Sequence, residues 1–276
     1  MNINAQQILN QALPIAHAAG AILRGGQQTY TQTGHTTTDA KSTSIDLVTQ
    51  YDTAAEKEIT TQLQQTFPTH GLIGEEGTHH NPNAPLTWYI DPLDGTTNFA
   101  HGLPHFAVSM ALYHHTQPLV AIVYNPMTDE CYTATHNGGA HLHHAGTRRQ
   151  LHVSTATTLG HSLLATGYPY DRHTSPRNNI AQTAALLLRA QGLRRAGAAA
   201  LDLAYVAAGR LDGYWEFKLK PWDCAAGILL VTEAGGTVTA INGASVPVTT
   251  EPALHIIAST PHIYQELFNT LQETLT

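Results

Sequence analysis

The run Trp88-Tyr89-Ile90-Asp91-Pro92-Leu93-Asp94-Gly95-Thr96-Thr97-Asn98-Phe99 holds the densest chemistry in the chain. A short apolar stretch ends in Asp91, a second acid follows at Asp94, and Pro92 lies between them. Apolar runs of this length read as buried strands, which places Asp91 at a strand's C-terminal end, where open α/β sheets hold ligands. Pro92 fixes φ and lacks an N–H, so the chain leaves that strand in a preset turn. Both carboxylates can then face one pocket with a backbone carbonyl between them. Gly95-Thr96-Thr97 offers small residues, hydroxyls and free N–H groups suited to a phosphate. Hard oxygen ligands beside a phosphate cradle point to Mg²⁺-dependent phosphate chemistry.

Other acids recur at expected strand ends and helix starts: Asp52, Glu75, Glu76 and Asp223. Taken singly, each has an ordinary explanation. Asp52 reads as a cap of the second helix, and Asp223 as a first-turn acid favoured by the helix dipole. Together they concentrate negative charge that cations would relieve.

The elements that must carry these residues follow from periodicity. Ile8, Ala12, Ile15, Ala16, Ala19, Ile22 and Leu23 predict an amphipathic first helix, with Pro14 as a kink or start and Gly25-Gly26 as its end. The polar segment Gln27 to Thr43 reads as a loop. Asp46-Leu47-Val48-Thr49 leads into a second helix that stops at Phe67-Pro68. Gly71-Leu72-Ile73-Gly74 is a short strand delivering Glu75-Glu76. Phe106 to Leu112, Leu119 to Tyr124, Cys131 to Ala134 and a hairpin from Ala140 to Val153 predict an antiparallel sheet. The second half alternates, with strands at Ser162 to Thr166, Leu211 to Phe217, Thr237 to Ile241 and His255 to Ser259. Its helices are Asn179 to Leu188 (capped by Ser175 with Pro176 first), Ala198 to Ala208, Pro221 to Glu233 and His262 to Leu275.

The bulk numbers narrow the class. A chain of 276 residues with 42% hydrophobic content can build one large layered domain. A formal net charge of −7 with no basic run longer than a pair argues against nucleic acid as a partner. The two cysteines match no zinc spacing, and the N-terminus lacks a signal-peptide pattern, so the cytoplasm is expected. No apolar run approaches the roughly 20 residues of a membrane span. The 18 histidines cluster in turn-rich stretches without a recognised metal pattern.

The chain resembles the inositol monophosphatase family of Mg²⁺-dependent, Li⁺-sensitive phosphatases, within the fructose-1,6-bisphosphatase-like superfamily. The resemblance rests on Lys41 with Asp46-Leu47-Val48-Thr49 and Asp52, on Gly74-Glu75-Glu76, and on Trp88 to Phe99 extended through His101-Gly102, Pro104 and Phe106 to Ser109. It continues at Ala199 to Ala204, Leu211-Asp212-Gly213-Tyr214-Trp215-Glu216, Pro221-Trp222-Asp223 and Thr232 to Gly236. It implies an α+β, layered α-β-α-β-α sandwich, one domain over 1–276. Residues 1–150 carry most metal ligands; 151–276 carry Asp223 and the substrate side. It implies that Glu75, Asp91 and the Leu93 carbonyl hold one Mg²⁺, that Asp91, Asp94 and Asp223 hold a second, and that Glu75 and Glu76 share a weaker third. Thr96, bonded to Asp52, would position the attacking water. Asp94, Gly95 and Thr96 would meet the phosphate, with Gly197, Ala198 and Glu216 on the substrate side. Ala196-Gly197-Ala198-Ala199 departs from relatives with Gly-Ser or Gly-Thr before the Ala pair, so a hydroxyl beside the substrate is lost. Lys218 and Lys220 could meet a second anionic group or be solvated strand-end lysines. Tyr168-Pro169-Tyr170-Asp171-Arg172 is the local candidate for setting specificity. The implied activity is hydrolysis of a small polyol phosphate, inositol 1-phosphate first, by a homodimer. Histidinol phosphate, sugar phosphates, fructose 1,6-bisphosphate and a regulatory binding protein on the same scaffold are the alternatives.

Overall fold

The computed structural model describes residues 3–33, 38–40, 47–248 and 253–275. Lys41 and Asp46 lie outside them. The apolar stripe Leu9, Ala12, Ile15, Ala16, Ala19 and Leu23 is buried along helix α1 (Ala5–Thr33). Pro14 sits inside this helix, which runs through Gly25-Gly26 instead of ending there. Neither glycine takes the positive φ of a C-cap. A Cβ on Gly26 would come within 2.6 Å of Phe99 and 2.8 Å of Tyr51, so this glycine permits close packing. The expected loop from Gln27 is therefore helical to Thr33 and returns as strand β1 (Thr38–Ala40), paired antiparallel with β2 (Leu47–Thr49).

Helix α2 (Gln50–Thr66) starts at Thr49 and ends at Phe67, ahead of Pro68. Strands β3 (Gly71–Gly74), β4 (His79–His80) and β5 (Leu86–Asp94), the short helix α3 (Thr96–Ala100), and strands β6 (Ala107–His114), β7 (Gln117–Asn125), β8 (Glu130–Thr135), β9 (Gly139–His144) and β10 (Thr147–Gln150) follow. The strands form one eight-stranded sheet in the order β10-β9-β8-β7-β6-β5-β3-β4. Both faces of its middle strands are covered. Trp88, Ile90, Val108, Met110 and Ile122 pack with α1 and α2, whereas Tyr89, Ala111, Tyr113, Ala121 and Val123 belong to the core on the opposite face.

The remaining elements are β11 (Leu163–Thr166), α4 (Ile180–Leu187), β12 (Gly192–Arg194), α5 (Ala199–Ala207), β13 (Gly213–Leu219), α6 (Pro221–Glu233), β14 (Thr237–Ala240), β15 (Leu254–Ser259) and α7 (Pro261–Glu273). A second sheet runs β12-β11-β13-β15-β14. Helices α5 and α6 contact both sheets, and α4 and α7 cover the second sheet's other side. The layers are thus α-β-α-β-α, as the resemblance implied. Ser175 does not cap α4, which starts after Asn179 in a left-handed conformation. The Asn179 side chain is engaged elsewhere: it accepts from Trp215 Nε1 at 2.7 Å and donates to Thr166. Strand β12 was not expected, since three residues show no alternation.

One core contact has a pH consequence. Trp88 Nε1 donates to Nδ1 of His70 at 3.1 Å, and the His70 ring stacks on Phe67 at 4.9 Å. That nitrogen must be unprotonated, and burial lowers the imidazole's pKa from 6.5. The unfolded chain then binds more protons than the native one below about pH 6.5, so this increment of stability is present above that pH and lost as pH falls toward the folded pKa. Urea melts at neutral and mildly acidic pH should show a smaller acid-side loss in His70→Gln than in the parent chain. An unchanged loss would remove His70 from the account.

Candidate active site

The first pair of acids is set by sheet register. Strands β3 and β5 pair in parallel with Gly74 opposite Ile90, so the next residues, Glu75 and Asp91, emerge side by side. The Glu75 N–H donates to the Ile90 carbonyl at 3.1 Å. Asp91 is not the end of its strand, contrary to expectation. Pairing with β6 resumes at Asp94, with Asp91 opposite Ser109 and Asp94 opposite Ala107. Three steps on β5 therefore face two on β6, which is a bulge. Pro92 occupies it, where its missing N–H leaves no ladder bond unmade. The Leu93 N–H donates back to Asp91 Oδ1 at 2.9 Å.

Asp94 is aimed by the bulge at helix α5. Its two oxygens accept the N–H groups of Ala199 and Ala200 at 3.0 and 2.8 Å. Ala198 occupies the N-cap position and supplies no side-chain cap, so Asp94 serves as that cap from a distant part of the chain. The departure at Ala198 thus leaves the helix start satisfied.

Asp223 arrives on α6. Its carboxylate accepts the Lys220 N–H at 2.7 Å in the helix's first turn. Ser109, the cross-strand partner of Asp91, donates to the Trp222 carbonyl at 3.2 Å and so seats that turn opposite Asp91. Glu75, Asp91 and Asp223 consequently offer oxygens within 4.8 Å of one another.

Asp52 reaches the site indirectly. It is buried, and one oxygen accepts the N–H and hydroxyl of Thr49 at 2.8 and 2.5 Å. The other lies 3.0 Å from Thr96 Oγ1, which is also 3.1 Å from the Leu93 carbonyl. The hydroxyl has one proton for two acceptors.

Glu75, Asp91, Leu93, Asp94, Thr96 and Asp223 line a cavity of about 600 Å³, and Asp52 backs it through Thr96. Burial, then the charge of Glu75, raises the pKa values of Asp91 and Asp223 well above the carboxylate range. Burial lifts Asp94 to about 7 against the pull of its two N–H donors, and Asp52 to about 6 against its Thr49 bonds. Hard oxygen donors so close together, disfavoured as charges in the absence of a counter-ion, fit a divalent cation. Among the described residues, this is the one group of three or more acids, histidines or cysteines brought that close.

The same cavity is lined by Glu216, lifted to about 7 by burial and bonded by the Tyr214 hydroxyl. Gly167 faces that carboxylate, where a side chain would collide with it. Gly95, Gly197 and Ala198 line the cavity, with φ of 98° at Gly95 and 86° at Gly197. Glu76 stands next to Glu75 but is not among the lining residues. Lys218 sits at a bulge of β13 with φ 64°, and its ammonium pairs with Asp171 at 2.5 Å. It thereby ties the 168–172 loop to the second sheet. Asp202 was missed as a site residue: it lines the cavity, and its buried Oδ1 has no hydrogen-bond partner. Ser109 was also missed, because its role depends on neighbours that only the fold supplies.

Comparison with known proteins agrees with this geometry. The model of the inositol monophosphatase family matches residues 4–276. The chain belongs to the inositol monophosphatase family. Nus factor SuhB of Pseudomonas aeruginosa is 41% identical over 275 residues, covering 98% of this chain and 97% of that one. Inositol-1-monophosphatase of Synechocystis is 41% identical over 259 residues, 93% of this chain and 88% of its own. The solved inositol monophosphatase of Anabaena superposes with a TM-score of 0.84 at 38% identity, covering 99% and 98% of the two chains. Membership of this family and the names of these relatives make the chain a hydrolase of the phosphatase class. No helix among the described residues is long and apolar enough to cross a membrane.

Proposed function

We propose that the chain is a Mg²⁺-dependent phosphomonoesterase for a small polyol phosphate, with inositol 1-phosphate as the first candidate. The observation that carries this reading is the meeting of Glu75, Asp91 and Asp223 within 4.8 Å beside Asp94 and Thr96. Glu75, Asp91, Asp94, Asp223 and the Leu93 carbonyl would hold the cations, with Glu76 contributing to a weaker site. Bound there, divalent cations supply positive charge to the phosphate and the leaving oxygen and acidify the attacking water. The protein's own part is positioning and charge. Asp52, whose charge the Thr49 donors favour against its burial, accepts a hydrogen bond from the Thr96 hydroxyl. The Thr96 oxygen then presents a lone pair to the incoming water, and the Leu93 carbonyl is left free to face a cation. Gly95 and Thr96 take the phosphate with Asp94 at its side, while Gly197, Ala198 and Glu216 meet the alcohol. Glu216, an acceptor lining the same cavity, suits a substrate hydroxyl.

Phosphate release across a panel of polyol, sugar, histidinol and nucleotide monophosphates, with Mg²⁺ and with chelator, tests the reading. Inositol 1-phosphate should rank first, and millimolar-range Li⁺ should inhibit. Glu216→Gln should raise KM for inositol 1-phosphate several-fold more than for a featureless aryl phosphate. Equal effects on the two esters would strip Glu216 of its hydroxyl-binding role.

The match of the family to residues 4–276 supports reading 1–276 as one domain whose two halves close a single site. A cytoplasmic homodimer belongs to the same proposal. A second reading rests on the relative named Nus factor SuhB: a regulatory partner on the phosphatase scaffold. It predicts a stable macromolecular complex that survives loss of Asp94, whereas the leading reading requires turnover that does not.

A further inference from the structure

One buried carboxylate beside the site plays no part in the reading above. Glu56 stands one helical turn after Asp52 on α2 and is 4% exposed. Its Oε2 accepts the Glu76 N–H at 2.8 Å. Its Oε1 accepts the N–H and hydroxyl of Thr78 at 3.0 and 2.7 Å. These donors belong to the turn that carries Glu75 and Glu76, which the Gly74 N–H closes by donating to the Thr78 carbonyl at 2.9 Å. A Cβ on Gly74 would lie 2.5 Å from Glu56 Oε2, so the carboxylate enters through the space this glycine leaves. Three donors and a fitted gap would suffice for a purely structural anchor. What points further is the pairing with Asp52.

Residues four apart on a helix stand on one face. Asp52 grips Thr96, just past the exit of β5, and Glu56 grips the exit of β3. Between and beyond them Ala55, Ile59 and Leu63 bury the same helix face in the core. One rigid turn of α2 therefore holds the two chain exits that deliver Glu75 and Asp91 at a set separation. We propose that Glu56 is a positioning residue that sets the divalent-cation affinity of the site by fixing the Glu75-Glu76 turn against α2. This rests on reading the clustered acids as a cation site. Groups that orient ligands in this way typically change metal affinity by about 10–100-fold when altered.

Glu56→Gln is the direct probe, because the amide keeps one acceptor and turns an N–H₂ toward a backbone donor. Mn²⁺ binding followed by the free-ion paramagnetic resonance signal gives affinity without reference to turnover. Mg²⁺ competition and the melting temperature of the metal-free protein are measured alongside. Mn²⁺ affinity should fall by about 10-fold or more, and kcat at saturating Mg²⁺ should stay within about 3-fold. Thr78→Val removes one donor, spares the carboxylate and should weaken Mn²⁺ by about 2- to 5-fold, which decides the matter even if Glu56→Gln does not fold. Parent-like Mn²⁺ affinity in the folded variants overturns the proposal, whatever happens to the melting temperature. A parent chain that binds no Mn²⁺ overturns the cation reading itself, which is a different outcome.

Discussion

Asp94→Asn should lower kcat/KM for the phosphate ester by about a thousandfold or more while the protein remains folded. The expectation follows from two functions of one side chain. Its oxygens cap α5 through Ala199 and Ala200, and its charge faces the cavity beside Asp91 and Asp223. Asparagine keeps one oxygen for one of those N–H groups and turns an N–H₂ toward the other. The loss of a satisfied donor costs about 1–3 kcal/mol of stability. That is a fraction of the roughly 5–15 kcal/mol typical of a domain. Removal of the charge acts on the cation and the phosphate together, so activity falls far more than stability. Circular dichroism and urea melts would report the fold, and steady-state kinetics the turnover. Near-parental activity in a folded Asp94→Asn protein would sink its assignment as a ligand.

The second large effect runs in the opposite direction for stability. Asp223→Asn should stabilise the metal-free protein and abolish the gain that Mg²⁺ gives the parent chain. Ionised carboxylates whose oxygens lie within 4.8 Å of one another repel by roughly 3 kcal/mol or more per pair at an effective dielectric near 20. Protonation relieves part of this, so the net relief is smaller, on the order of 1–2 kcal/mol. The amide oxygen can still accept the Lys220 N–H, so the start of α6 survives the change. In the parent chain, a cation at about 100 times its Kd adds about 2.7 kcal/mol through linkage. Thermal melts in chelator and in Mg²⁺ would therefore cross: Asp223→Asn melts higher than the parent without metal and lower with it. A variant less stable than the parent in both conditions would show that Asp223 acts only as a helix-start residue.

The parts of the site that follow from local rules were legible beforehand. Thr49 and Asp52 at the start of α2, Pro221 and Asp223 at the start of α6, and Gly74-Glu75 after a short strand all carry signatures of element ends. The layered fold and the phosphatase family were legible through ordered blocks spread over nearly the whole chain. What could not be read depended on who packs against whom. Gly25-Gly26 looks like a helix stop, yet Gly26 is held inside α1 by the rings of Tyr51 and Phe99. Pro92 looks like a strand end, yet a bulge lets β5 pair onward to Asp94. Ser109 looks like one more polar residue on a strand, until register places it between Asp91 and the start of α6. Lys218 offered two readings, and its pairing with Asp171 is neither of them in simple form. In each case the deciding neighbour lies far away in sequence, so no window of local pattern contains it.

The central claim is that these acids form a cation-dependent phosphate-ester hydrolysis site, and Mg²⁺ dependence of turnover tests it most directly. The measurement is the initial rate of phosphate release from inositol 1-phosphate as Mg²⁺ is added back to chelator-treated protein. Release should be at background in chelator, rise saturably with Mg²⁺ by about a thousandfold or more, and stay at background in Asp94→Asn. Equal rates in chelator and in Mg²⁺, or a rise that Asp94→Asn retains, would contradict it.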